Sequence, residues 1–357
     1  MEEIKKKVLL LTDELRVGGA ETYFFKIENN FKSESVELFT AAEVGSYESK
    51  LKNNDKFFSL TESFFKNIFL VREIVKKNEI DIIHANSLRL SMISLLSKYV
   101  SLGKVKIFYT KHNLTYLEQI NDKVFSSYVN KFIDKLLTVS DFDRKVMIIK
   151  GVNESKIEVV RNSTDVEKMP FNPHYFRRKK DEPLKIGILA RLSEVKNHKF
   201  FIDIIEDLTR EKLFEFNTFI GGDGPLRDEI ETDIKDRELD IKVLGLIDNP
   251  GEFLKEMDVV LIVSKREIFP MTILEAFSIG TIVVSIDVGG VSDCIKNNNT
   301  GYLIDNYSTK QFINALLNIS ENITSTKELI LNARKMVSDG YSLNKMMVKI
   351  EEIYMED

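Results

Sequence analysis

Residues 258–294 read DVVLIVSKREIFPMTILEAFSIGTIVVSIDVGGVSDC, and this stretch limits the possible folds more than any other part of the chain. A buried strand at 259–263, a polar loop, a helix and a second strand at 281–286 make one βαβ unit, the building block of a parallel sheet. Pro270 suits the first helical turn, where its missing N–H leaves nothing unpaired, and Gly280 suits the left-handed position just past the helix end. Ligands of open α/β sheets lie at the carboxyl ends of strands, here the loop carrying Lys265, Arg266 and Glu267. The first-turn amides near Met271 and Thr272 face the same crevice, where a phosphate can bind.

Glu267 and Glu275 stand eight residues apart, one on the loop and one on the helix. Two carboxylates beside a cleft invite a glycosidase reading, which needs the carboxyls about 5 Å apart in a retaining hydrolase. Eight helical residues span roughly 12 Å. The pair is better suited to holding two parts of one long ligand than to attacking one bond. Taken alone, it reads equally well as a loop charge and a solvated helix residue.

A chain of 357 residues is long enough for two domains, each with its own core. Its 43% hydrophobic and 30% charged content is that of a soluble globular protein. The single cysteine, Cys294, excludes an internal disulfide framework and a cysteine-based zinc site. Residues 1–7 are charged and run straight into a strand, so no signal peptide is expected, and no apolar run is long enough to span a bilayer. A cytoplasmic location follows as the expectation. The net charge of −5 combines a mildly basic first half with an acidic second half, a weak signal for an anionic or membrane-borne partner and none for nucleic acid.

Taken in order, 7–12 is a first strand and 22–30 an amphipathic helix, with Gly18 and Gly19 between them where backbone amides can approach an anion. Residues 57–77 read as a helix with an aromatic face (Phe64, Phe65, Ile68, Phe69, Val71) and basic flanks, first as cover for the sheet and second as a membrane-facing surface. Strands at 81–84 and 105–112 end in His84, with Asn86 just beyond, and in His112. A fifth strand at 136–140 precedes Asp141-Phe142-Asp143, a D-x-D that is read as helix-start acids after Ser140 rather than as a metal motif. A strand at 157–160 closes the half. Residues 169–183, with three prolines and the basic run Arg177 to Lys180, read as a linker. The second half restarts with a strand at 184–189. Arg191 and Lys196 follow it, five residues apart, where both could close on a diphosphate; as isolated residues they would be surface cations. Residues 219–224 form a strand and tight turn through Gly222 that lacks the G-x-G-x-x-G spacing of a dinucleotide fingerprint. Strands at 243–246, ending in Leu246, and 301–304 follow, and 342–355 is a closing helix.

The run E-I-F-P-M-T-I-L-E, then S-I-G and D-V-G-G-V-S-D, resembles the E-x7-E signature of glycosyltransferase family 4, and the resemblance extends over nearly the whole chain. It implies the GT-B fold: two Rossmann-like doubly wound α/β domains with a cleft between them and a C-terminal helix crossing back to the first. The expected domains are an acceptor-side domain at 1–168, the linker at 169–183, a donor domain at 184–340 and the crossover helix at 341–357. The resemblance places Glu275 on the nucleotide ribose and Glu267 and His112 beside the donor sugar. It places Arg191 and Lys196, matching G-R-L-x-x-x-K, on the leaving diphosphate. Gly18, Gly19 and Glu21 match G-G-x-E facing the diphosphate, Gly222 lies in the shared G-D-G-P near the nucleotide, and Leu246 ends the strand that contacts the base. Met271 and Thr272 complete the donor-binding set. His84 and Asn86 stand on the acceptor side, where the family often has H-x-H. The chain departs from the pattern at Asn86, at Ser163 (usually glycine), at Ile268 (usually glycine) and at Asp293 (usually glutamate).

The expectation is therefore a retaining, metal-independent hexosyltransferase that needs no cofactor. It would move a sugar from a nucleotide diphosphate donor, UDP-linked, to a growing surface glycan such as capsule or exopolysaccharide, free or lipid-linked. Peripheral contact with the inner face of the membrane is left open. Two rivals are a non-catalytic sugar-nucleotide-binding subunit, disfavoured by the intact Arg191, Lys196, Glu267 and Glu275, and a dinucleotide-dependent oxidoreductase, disfavoured by the missing fingerprint.

Overall fold

The computed structural model describes residues 5–16, 18–100, 104–179 and 182–356. The chain divides into two compact units, one of residues 1–162 with 343–357, the other of 163–342. Each is built on a parallel sheet.

In the first unit the strands are β1 (Lys6–Glu14), β2 (Val36–Glu43), β3 (Phe57–Leu60), β4 (Ile82–Ala85), β5 (Lys106–Lys111), β6 (Lys135–Thr138) and β7 (Ile157–Val159). Their order is β3-β2-β1-β4-β5-β6-β7, so the winding reverses between β1 and β4 and opens a crevice at their carboxyl ends. Two strands were not legible in the sequence. β2 went unread, and Phe57 and Phe58, taken as the start of a helix, instead pair with Thr40 and Ala41 of β2. The helix begins at Phe64, with Ser63 accepting from the Lys66 N–H. Ile68, Val71, Ile74 and Val75 form its buried stripe, whereas Phe65 and Phe69 of the expected aromatic face point outward, 74% and 57% exposed. Side chains along a strand alternate between faces. Leu9, Leu11, Ile83 and Ala85 bury one face beneath this helix and the next, Leu88–Tyr99. His84, Phe108 and Thr110 turn to the opposite face, where the helix Gly19–Asn30 and the closing helix Leu343–Met355 lie.

In the second unit β8 (Leu184–Leu189), β9 (Phe216–Gly221), β10 (Ile241–Gly245), β11 (Val259–Ile262), β12 (Ile282–Ile286) and β13 (Tyr302–Ile304) take the order β10-β9-β8-β11-β12-β13. The reversal falls between β8 and β11. The stretch at 258–294 is the βαβ unit read from its pattern, with Gly280 at φ 98° ending the helix Met271–Ile279. Pro270 is shifted by one place: its backbone is extended (φ −76°, ψ 108°) and it stands before the helix rather than in its first turn.

The segment at 163–183 belongs to the second unit. Its prolines shape a strap against that unit's core. A Cβ on Gly280 would come within 2.4 Å of Pro173 and 2.9 Å of Phe171, Tyr175 is buried with its hydroxyl donating to the Ile319 carbonyl (2.5 Å), and His174 Nδ1 lies 2.8 Å from Asp258. Lys180 and Asp181 of the expected linker lie outside the described residues.

Candidate active site

The crevice of the second unit is made by the loops following β8 and β11, which are joined by direct bonds. The Lys265 N–H donates to the Val195 carbonyl (2.8 Å), Asn197 Nδ2 to the Val263 carbonyl (3.2 Å), and Lys196 Nζ to Glu267 Oε1 (2.5 Å). A third element seats the first loop. Ala190 N–H bonds the Gly221 carbonyl and Leu192 N–H the Asp223 carbonyl. A Cβ on Gly222 would lie 2.0 Å from the Ala190 carbonyl oxygen, and one on Gly224 would lie 2.4 Å from that of Leu192. Gly222 also sits at φ 140°, which only glycine adopts without strain. The G-G-D-G-P turn is thus the cradle of the Arg191 loop. Arg191 itself is exposed and has no ion-pair or hydrogen-bond partner among the described residues.

Glu267 is held from behind. Gly289, at φ 61°, passes so close that a Cβ would lie 1.6 Å from the Glu267 carbonyl oxygen, and the Gly290 N–H donates to that oxygen (3.2 Å). The sequence reading passed over Gly289 as part of a motif. Its signal was a glycine pair in the loop shortly after a buried strand, where a backbone must pass close by. Glu275 lies about one turn along the helix whose first turn carries Met271 and Thr272. It lines a cavity of about 300 Å³ with Asp165, Lys168, Asn249 and Lys255. Leu246 follows β10 and Gly245 (φ 75°) and is 69% exposed. An apolar side chain left in water at a strand's carboxyl end suits contact with a flat ring.

In the first unit the β1 loop leads into the helix Gly19–Asn30. A Cβ on Gly18 would strike the Glu21 carboxylate (2.0 Å), whereas one on Gly19 would meet nothing within 4 Å. Glycine at 18 therefore makes room for Glu21, and glycine at 19 leaves open space at a helix start. Burial raises the carboxyl pKa of Glu21. At the end of β5, burial and then Lys111 hold the His112 pKa down to about 3, so the imidazole is neutral. Its ring packs edge-on to Tyr23 (centroids 4.9 Å), and its Nε2 is buried without a partner among the described residues.

The acceptor-side expectation for His84 is corrected. His84 is fully buried, with Nδ1 2.6 Å from Tyr354 Oη and Nε2 2.6 Å from Thr110 Oγ1, so neither nitrogen can reach a substrate. Its position on the strand's inward face decides this. Asn86, two residues on, is also buried, but both its side-chain polar atoms lack partners among the described residues. An unread charged group lies at the same edge of the sheet. Arg89 Nη1 bonds Asp13 Oδ1 (3.2 Å) and Glu43 Oε1 (2.9 Å), tying the ends of β1 and β2 to the helix after β4. No local pattern could have found it, because its partners lie 76 and 46 residues away.

The D-x-D acids are engaged elsewhere. Asp141 Oδ2 accepts from Arg161 (2.6 and 2.8 Å), Asp143 pairs with the buried Lys111 (3.1 Å), and Ser140 Oγ accepts the Asp143 N–H. Among the described residues no group of three His, Cys, Asp or Glu side chains is placed to hold a metal ion.

Comparison with known proteins gives the family and the fold. Residues 17–168 match glycosyltransferase family 4, and residues 174–336 match glycosyl transferases group 1. The chain belongs to the family 4 glycosyltransferases. Its fold is GT-B: HepE of Anabaena, in a complex with UDP-glucose, superposes with a TM-score of 0.82 at 18% identity, covering 97% of this chain and 98% of that one. The UDP-Gal:alpha-D-GlcNAc-diphosphoundecaprenol alpha-1,3-galactosyltransferase of Escherichia coli is 24% identical over 313 residues, 82% of this chain and 79% of that protein. An alpha-1,4-N-acetyl-D-galactosaminyltransferase of Campylobacter jejuni, acting on a diphosphoundecaprenol-linked glycan, is 24% identical over 348 residues, 93% and 94% of the two chains. This family 4 enzyme has no described helix long and apolar enough to cross a membrane.

Proposed function

We propose that this glycosyltransferase moves a hexose-type sugar from a UDP-sugar to a growing, lipid-linked surface glycan, with retention of configuration and without a metal ion. The observation that carries the reading is the crevice between β8 and β11, where Arg191 has no partner among the described residues and Lys196 is held 2.5 Å from Glu267. Two cations at the carboxyl ends of neighbouring parallel strands suit a diphosphate. As the bond to the anomeric carbon breaks, charge grows on the leaving oxygen, and Arg191 and Lys196 stabilise it. Glu275, on the adjoining helix, takes the ribose hydroxyls. Glu267 and His112 orient the sugar, His112 as a neutral hydrogen-bonding group. No side chain is assigned as a covalent nucleophile: the acceptor hydroxyl attacks on the face that the diphosphate leaves, and its proton passes to the departing phosphate oxygen. The family relationship, the undecaprenol-linked substrates named for two relatives and the donor bound to HepE support the choice of donor and acceptor.

The test is incubation of the purified chain with a panel of UDP-sugars and undecaprenyl-diphosphate-linked acceptors, with the product's anomeric configuration read by NMR. Transfer with an inverted anomer would overturn the mechanism. Binding of UDP-sugar without turnover on any acceptor or water would favour the non-catalytic subunit.

A further inference from the structure

The helix Met271–Ile279 ends inside the protein, with Ser278 and Ile279 both buried. The last carbonyls of a helix lie too near its end for partners within it, and a buried end must find them elsewhere. The Ile279 carbonyl accepts from the Asn172 N–H of the strap (3.2 Å). The Ser278 carbonyl accepts from Nη1 of Arg334, a residue of the helix Ile323–Gly340. A cation at this end also suits the partial negative charge of the helix terminus.

Arg334 does not stop at the helix. Its Nη1 also reaches the Met169 carbonyl (3.3 Å), and its Nη2 donates to the Val166 carbonyl (3.0 Å). Its guanidinium lies over the Phe171 ring, 5.7 Å from the centroid. One planar fork therefore spans two separate pieces of chain, the strap at 166–169 and the end of the helix that carries Glu275. These two pieces are walls of one cavity. Asp165, Lys168 and Met169 line the space of about 300 Å³ from the strap, and Glu275 lines it from the helix. Glu275 and Ser278 stand three residues apart, neighbours on the helix surface. Farther along, Asn172 and the close approach of Pro173 to Gly280 seat the strap at the helix end. The stretch that lines the cavity is tied to the helix through Arg334.

We propose that Arg334 is a positioning residue for Glu275: by bonding the carbonyls of Val166, Met169 and Ser278 together, it fixes the strap and the helix as facing walls and so sets where the Glu275 carboxylate stands. Its effect on nucleotide binding rests on the ribose role given to Glu275; its effect on the place of that carboxylate does not.

The experiment uses the full-length chain labelled with carbon-13 at the glutamate carboxyls, and the Glu275 signal is identified by its absence from Glu275→Gln. Arg334→Gln keeps a polar side chain but cannot span both walls. It should move the Glu275 signal and weaken UDP about tenfold, the worth of one hydrogen bond to a charged group. Donor KM should rise with kcat within about twofold of the wild type. In the Glu275→Gln background the same change should cost no further UDP affinity, because Arg334 acts through Glu275. A merely structural role would lower the melting temperature while leaving the signal in place and the two losses additive. Should Arg334→Gln fail to fold, Arg334→Lys decides, since an ammonium keeps a cation at the helix end without the fork. A Glu275 signal unmoved by both variants, or a full additional loss of UDP affinity in the double variant, would overturn the proposal. A moved signal with UDP held at wild-type strength by both single variants would instead count against the ribose assignment alone.

Discussion

Lys196 Nζ lies 2.5 Å from Glu267 Oε1, joining the loop after β8 to the loop after β11 across the point where the second sheet reverses. Both side chains are partly shielded, with the lysine 30% and the glutamate 10% exposed. A diphosphate entering this crevice competes with Glu267 for the lysine. Glu267→Gln should therefore hold UDP at least as tightly as the wild type while turning over the intact donor far more slowly. Glu275→Gln should weaken UDP itself, because a ribose diol bonds best to a charged acceptor. Titration calorimetry with UDP separates the two, and an equal loss of affinity would mean the roles are wrongly divided.

Arg191, without a partner among the described residues, leads to a second expectation. Removing one preorganised electrostatic stabiliser costs about 10²–10³ in kcat, so Arg191→Ala and Lys196→Ala should each lose that much, with smaller changes in donor KM. The double variant should lose less than the product, because both groups act on one diphosphate. Arg191→Lys should rescue poorly, since a point charge does not reproduce a planar fork. Near-normal kcat with a raised KM in both alanine variants would reduce these cations to docking groups.

Metal independence is checked by running the transfer reaction in excess chelator. Full activity is expected. Loss that manganese or magnesium restores would refute the assignment of charge stabilisation to Arg191 and Lys196.

Two glycines should behave oppositely. Gly289→Ala places a methyl group against the Glu267 carbonyl at a φ of 61°, so it should lower stability by about 1–3 kcal/mol and displace Glu267. Gly19→Ala meets no atom within 4 Å and should leave the melting temperature unchanged. Its added methyl should still weaken donor binding if a phosphate uses that space. Thermal melts and UDP titrations of the two variants test this contrast.

Acid should unfold the protein early. Burial holds His84 and His112 near a pKa of about 3 and His198 near about 4, against 6.5 for a free imidazole. Below pH 6.5 the unfolded chain binds protons that the folded chain refuses, so stability present above that pH falls as the solution is acidified. Each histidine contributes a slope of about 1.4 kcal/mol per pH unit until its folded value is reached. Melting temperature measured from pH 7.5 to 4.5 should fall steadily below 6.5. A flat profile down to pH 5 would show that these rings are protonated in the folded state.

Much of the architecture was legible before any coordinates. Apolar runs, glycine punctuation and helix periods mark eleven of the strands to within a residue or two at most ends, because each is a local property of a few consecutive residues. The loops bearing Arg191, Lys196, Glu267 and His112 could be placed for the same reason: a strand's carboxyl end can be read from the strand. What the sequence could not hold was anything that depends on a distant partner. β3 exists because β2 lies alongside it, although Phe57 and Phe58 run on toward a helical pattern. His84 and His112 look alike in sequence, each ending a buried strand, yet one is sealed beneath Tyr354, 270 residues away, while the other keeps a nitrogen beside Tyr23 without a partner among the described residues. Gly289 is required by a carbonyl that reaches it only when the loops after β11 and β12 come together. Hydrophobic period and turn chemistry act along the chain and determined the order of the elements. Hydrogen bonding and steric contact act through space, so only the tertiary structure decided which polar groups are consumed in holding the fold and which remain available for substrate.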